Sequence, residues 1–101
     1  MRMRKTGAWQ RAPDDRILEY LRDHDVAGAH EIARDIQYPI TVHRVRRRLR
    51  VLAQASYAAP LDDDYDLFEL TVWGQLYLEG EVRADLLVPE PDERREGYVL
   101  G

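Results

Sequence analysis

Five arginines stand within the seven residues from Arg44 to Arg50, with His43 beside them, and no acid occurs anywhere between Pro39 and Ala55. A guanidinium is a planar fork of donors that pairs bidentately with a phosphate, a carboxylate, or the O6 and N7 acceptors of guanine. The net charge is −4, yet it is unevenly spread: residues 1–12 carry +4, 13–38 carry −4, 39–55 carry +5, 56–81 carry −7 and 82–101 carry −2. A charged helical face is ordinarily just a solvated one, but a solvated face does not require a single sign of charge in a chain with 19 acids. The one-sided block points to a polyanionic partner.

Other reactive constellations are weaker. Asp62, Asp64 and Asp66 alternate like the ligands of a hard cation, but Leu67 stands where a calcium loop needs glycine and Trp73 where it needs a bidentate glutamate. A solvated acidic turn is the expectation there, and no metal site. His24, His30 and His43 lack the spacing of a zinc site. There is no cysteine, so disulfides, thiolate ligands and cysteine nucleophiles are excluded. No Gly-rich phosphate loop, nucleophile elbow or acid–base set is present, and the chain is expected not to be an enzyme and to need no cofactor or small-molecule ligand. No apolar run approaches the roughly 20 residues of a membrane span, and the basic start is followed by no signal-peptide core, so a cytoplasmic protein is expected. The sole lysine is Lys5 among 15 basic residues, a usage consistent with a high-salt host or with codon bias.

Four helices and a hairpin must position the arginines. Pro13-Asp14-Asp15 opens a first helix running to about His24, because proline suits the first turn and carboxylates favour the positive end of the dipole. Gly28 precedes a short second helix, about Ala29 to Ile36, with Ala29, Ile32, Ala33 and Ile36 on one face. Pro39 breaks it. In a third helix, from about Ile40 to Ala55, Val42, Val45, Leu49 and Leu52 form an apolar seam opposite Ile40, His43, Arg44 and Arg47, with Arg46 and Arg48 on the flanks. Tyr57 to Leu61 and Leu67 to Leu70 then read as a hairpin with an acidic tip, in which Pro60 confines the first strand to an edge. Thr71 caps a fourth helix carrying Val72, Trp73, Leu76 and Tyr77, interrupted by Gly74. The domain is thus residues 13–81, with 1–12 a flexible basic arm and 82–101 a charged, poorly packed tail.

Helix, helix, helix, strand, strand, helix is the order of a winged helix-turn-helix, mainly α with a small β-hairpin (α+β). The pieces Lys5-Thr6-Gly7-Ala8-Trp9, Asp14 to Tyr20, Glu31-Ile32-Ala33, Arg47 to Ala53, and Thr71 with Gly74 and Tyr77 to Glu81 occur in an order that resembles the phage phi-H repressor-like winged-helix proteins of halophilic archaea. The likeness spans about Lys5 to Glu81 and implies a DNA-binding regulator without catalytic residues. Ser56 departs from it where a glycine would close the third helix, Pro39 stands at a usual capping serine, and Trp73 replaces a charged residue.

Together these observations lead to a sequence-specific regulator of transcription, a repressor, that places the third helix in the major groove of double-stranded DNA. Arg44 and Arg47 are the candidates for base edges, with His43, Thr41 and Ile40 close by, the last against a thymine methyl. Arg48 and Arg50 are the candidates for phosphates, and Arg2, Arg4, Lys5 and Arg11 for further phosphate contacts from the arm. Four aspartates repel a phosphate backbone, so the wing is expected off the DNA. A homodimer is expected, since such proteins pair to read two half-sites. The rival expectation is a protein–protein interaction module that uses the acidic wing and the fourth helix.

Overall fold

Each helix begins where the sequence offers an acceptor or a proline. In the computed structural model, which describes residues 3–64 and 66–94, α1 spans Pro13–His24, α2 Ala29–Asp35, α3 Val42–Gln54 and α4 Val72–Leu78. Glu31 Oε1 accepts the Gly28 N–H at 3.1 Å at the start of α2. Thr41 Oγ1 accepts from Arg44 N at 3.1 Å, and Thr71 Oγ1 from Gly74 N at 3.0 Å. The Thr41 cap corrects the expected start of the third helix from Ile40 to Val42, because a capping residue lies outside the helix with extended backbone. At the other ends, α2 stops at Asp35 and α3 at Gln54, one residue short of the expectation in both cases.

Three short strands, β1 (Val26–Ala27), β2 (Ala58–Pro60) and β3 (Phe68–Leu70), form an antiparallel sheet in the order β1-β3-β2. β2 and β3 are the expected hairpin, with Pro60 on an edge strand opposite Phe68. β1 has no counterpart in the sequence reading: two residues are too few to show an alternation, and only the pairing of Val26 with Glu69 and Ala27 with Phe68 defines it. The wing closes through Leu61 N–H to Leu67 O at 2.9 Å, and Asp62 Oδ1 accepts Asp66 N at its tip. The architecture is that of a winged helix-turn-helix of the α+β class.

The core lies between α1, the inner sides of α2 and α3, and the sheet. Ile17, Leu18, Leu21, Ile32, Val45, Leu49, Val51 and Leu52 are its large fully buried aliphatics. Tyr57 and Tyr77 stack at 5.1 Å between ring centroids, and Trp9 leans on Tyr57 at 6.3 Å. Among the described residues no helix is long and apolar enough to cross a membrane.

Both flanking segments pack more than expected. Trp9 is buried and donates Nε1–H to Ala84 O at 2.9 Å, while Ala84 N donates to Lys5 O at 2.8 Å. Arg4 is held by Asp15 at 3.1 Å and Glu19 at 3.0 Å, so α1 carboxylates claim part of the supposed flexible arm. Lys5 Nζ likewise donates to Gly80 O. Residues 82–94, expected to be poorly packed, include a 3-10 turn at Ala84–Leu86 and bury Ala84 and Pro91. Charge and proline content suggested an unpacked tail, but Ala84 fills a slot beside Trp9 that only the folded arm creates. Arg2 and residues 95–101 lie outside the described residues.

Two closures explain departures seen in the sequence. Ser56 ends α3 with a left-handed backbone (φ 66°), its N–H bonding Ala53 O and that of Tyr57 bonding Leu52 O, a Schellman pattern that ordinarily favours glycine. Gly74 is no interruption of α4: a β-carbon there would lie 2.2 Å from the Tyr57 carbonyl oxygen, so its absence lets α4 approach the sheet. Ser56→Gly should therefore raise the unfolding free energy by about 0.5–1 kcal/mol. Gly74→Ala should lower it by about 2 kcal/mol or more, and denaturant titration reads both.

Burial pushes the Tyr57 and Tyr77 phenols up to about 12, and Tyr77 also donates to Asp15 Oδ1 at 2.6 Å. An unfolded tyrosine ionises near 10. The folded state therefore keeps protons that the unfolded state loses, and stability that is complete below pH 10 drains away between about pH 10 and 12. Melting temperature should fall across that window, and Tyr77→Phe should flatten part of the fall.

Candidate nucleic-acid interface

The helix-turn-helix is α2, the turn 36–41 and α3. Ile36 and Ile40 pack against the core, and Tyr38 N–H donates to Ile36 O at 2.9 Å. Arg16 of α1 braces the turn, donating to Gln37 O at 2.8 Å with its guanidinium over the Tyr38 ring. Tyr20 O–H donates to Asp35 Oδ2 at 2.7 Å and ties α1 to the end of α2. Hydrogen bonds from Arg34 and then Tyr20 hold the Asp35 carboxyl down at about 2.

Of the seven residues expected at the interface, His43, Arg47 and Arg50 are exposed on α3 and Arg44 is half-buried. Thr41 is exposed, but its hydroxyl is engaged in capping the helix. Ile40 is half-buried and packs against the core, so its apolar surface serves the turn more than a thymine methyl.

Arg48 is a correction. It is only 1% exposed and faces inward rather than towards phosphates. Its Nε and Nη2 donate to the two Asp14 carboxylate oxygens at 2.8 and 2.7 Å, Nη2 also to Trp9 O at 3.2 Å, and Nη1 to Glu93 Oε1 at 2.6 Å. Asp14 is itself fully buried and accepts Arg11 N–H. Arg48 flanks the seam of Val45, Leu49 and Leu52, and the bulk of Trp9 and the segment after Val88 extends the buried arc past it. Neither partner was foreseen. In the sequence Asp14 stands as a dipole acid of the first turn and Glu93 within a charged, proline-bearing tail; a buried salt bridge across 34 residues leaves no local pattern.

The remaining arginines divide sharply. Arg4, Arg22, Arg34, Arg48, Arg83 and Arg94 each face a carboxylate at 2.6–3.6 Å. Arg11 and Arg16 donate to backbone carbonyls. Among the described residues Arg44, Arg46, Arg47 and Arg50 form no ion pair with any carboxylate, and Arg46 only approaches His30 at 3.4 Å. The acids of α1 and α2 that could have neutralised them are committed elsewhere: Asp15 and Glu19 to Arg4, Asp35 to Arg34. The four aspartates of the wing are exposed.

The crystal structure of the PhiH1 repressor-like protein from Haloarcula marismortui is similar to this chain, with 32% sequence identity and a TM-score of 0.75 over 80% of this chain and 90% of that one. The chain belongs to the phage phi-H repressor-like family. No protein-family model and no curated protein matches it. In this phi-H repressor-like chain the Arg48–Asp14 pair sets how α3 sits on α1. Asp14→Ala should cost about 3–5 kcal/mol, because it strands a buried guanidinium, whereas the double variant Asp14→Leu/Arg48→Met should recover most of that loss. Thermal melts of the two variants test it, and equal losses would contradict the assignment.

Proposed function

We propose that this protein is a sequence-specific transcriptional regulator, a repressor, that binds double-stranded DNA with α3 in the major groove. The supporting observation is the face of α3: among the described residues, four arginines left without carboxylate partners, side by side, where six others have them. Counter-charge supplied from outside is what such a face lacks, and nucleic-acid phosphates and guanine edges provide it. The likeness to a repressor-like protein supports the same reading. Arg44 and Arg47, in the first turns of α3, reach for base edges with His43 and Thr41 beside them, and Arg50 binds phosphate.

The acidic wing stands off the duplex in this reading, since its carboxylates and the phosphates repel. Pairing of two copies would set two recognition helices about one helical turn of DNA apart. The exposed Val72 and Trp73 on α4, at 75% and 56%, supply apolar surface for that contact.

Selection of bound sequences from a random duplex library, at low and at multimolar salt, tests the proposal. A palindrome with half-sites about one turn apart is expected from a dimer. Arg47→Ala should then cost about 1–3 kcal/mol on the selected site, while Arg50→Ala weakens all sequences alike. Equal affinity of Arg47→Ala and the parent for that site would remove α3 from base reading. If no sequence is enriched at either salt, the wing and α4 become the functional surface, with a protein partner in place of DNA.

A further inference from the structure

Glu90-Pro91-Asp92-Glu93 carries three carboxylates, and Glu93 places one of them on α3. The segment is fastened by its backbone: Asp92 N–H donates to Gln54 Oε1 and Asp92 O accepts from Gln54 Nε2, both at 2.9 Å. Pro91 is buried beside this clasp, and the next anchor is Glu93 on Arg48. Gln54 follows Arg47 by seven residues, two helical turns, and so lies on the same side of the helix. The segment therefore covers the C-terminal end of the face whose beginning carries His43, Arg44 and Arg47. It runs from Gln54 towards Arg48, which brings Glu93 up to those arginines. The hydrogen bond from Arg48, and beyond it the charges of Arg48, Arg47 and Arg44, hold the Glu93 carboxyl below its ordinary range.

This contact is built to separate. A crevice of about 350 Å³ opens between the segment, the arm at Ala8, Trp9 and Arg11, and α3 at Arg48 and Val51, so polar bonds hold much of the segment in place of continuous packing. Asp92 has Arg94 at 3.6 Å to offset its charge, and Glu93 is the acid of the segment that pairs with an arginine of α3, Arg48.

We propose that residues 90–93 form an acidic strap that competes with the phosphates of a duplex for the arginine face of α3, so that binding requires its displacement. The inference rests on the DNA-binding reading of α3. Displacement costs every duplex the same free energy, so the strap weakens binding to all sequences by one common factor and leaves the ratio between cognate and non-specific sites unchanged.

Fluorescence anisotropy with a labelled random-sequence duplex, at about 0.1 M salt where charges act over about 10 Å, tests it on the full chain. Gln54→Ala unclasps the strap without altering any charge, Glu93→Gln removes its leading charge, and Asp23→Asn makes the same charge change on the exposed end of α1. Circular dichroism confirms that each variant is folded. Gln54→Ala and Glu93→Gln should both tighten binding roughly three- to tenfold, with Asp23→Asn within twofold of the parent. Tightening by Glu93→Gln alone would reduce the effect to long-range charge and overturn the strap. Unchanged or weaker binding in both, with Arg47→Ala still weakening the parent, overturns the strap and leaves the DNA reading standing. Binding by neither parent nor variants overturns both.

Discussion

A single buried ion pair decides how α3 can sit. Arg48 and Asp14 are withdrawn almost completely from water, which is expensive for both, and the cost is offset because each nitrogen of the guanidinium finds an acceptor, Nε and Nη2 on the two Asp14 oxygens and the Trp9 carbonyl, and Nη1 on Glu93. The fork has a fixed plane, so satisfying it fixes the rotation of α3 about its own axis relative to α1. The arm carrying Trp9 and the segment carrying Glu93 are drawn to the same point. Four separate stretches of chain thus meet at one side chain.

That arrangement also divides the charges. Because Arg48 turns inward to an acid of α1, the neighbouring arginines turn outward, and the other α1 carboxylates are taken up by Arg4 from the arm. The arm, which by composition alone resembles a loose polycation, acts as a counter-ion for α1. Its docking keeps Asp15 and Glu19 from neutralising α3, and leaves the outer face of that helix as an unbalanced positive patch. The same logic accounts for an acidic wing in a protein proposed to bind a polyanion: its charge lies on the hairpin tip, at the end of β2 and β3, not on the helix that carries the arginines.

The small residues at the junctions matter for the same geometry. Gly74 allows α4 to lie against the Tyr57 carbonyl, and Thr71 joins the two ends of the hairpin by donating to Ser56 O while capping α4. Tyr57 and Tyr77, brought together there, carry the contact between wing, fourth helix and arm, since Tyr77 O–H reaches Asp15 and accepts from Gln10. A helix of seven residues is too short to persist by propensity and depends on this packing.

Local pattern determined much of this protein. The bounds of α1, the cap at Thr71, the apolar seam of α3, the hairpin and the winged-helix order all follow from periodicity, capping chemistry and proline placement, interactions that act within a few residues of one another. The arginine block and its outward members, His43, Arg47 and Arg50, were legible for the same reason. Tertiary structure alone decided that Arg48 faces inward, that β1 exists, that the arm is a counter-ion and that residues 82–94 are docked. Each of these depends on partners beyond the reach of a helical turn or a hairpin, 11 and 15 residues away for Arg4 with Asp15 and Glu19, and 34 or more for Asp14 and Arg48, Trp9 and Ala84, or Val26 and Glu69. Burial of a charge is settled by whether the rest of the chain can supply its hydrogen bonds, and no window of sequence contains that answer.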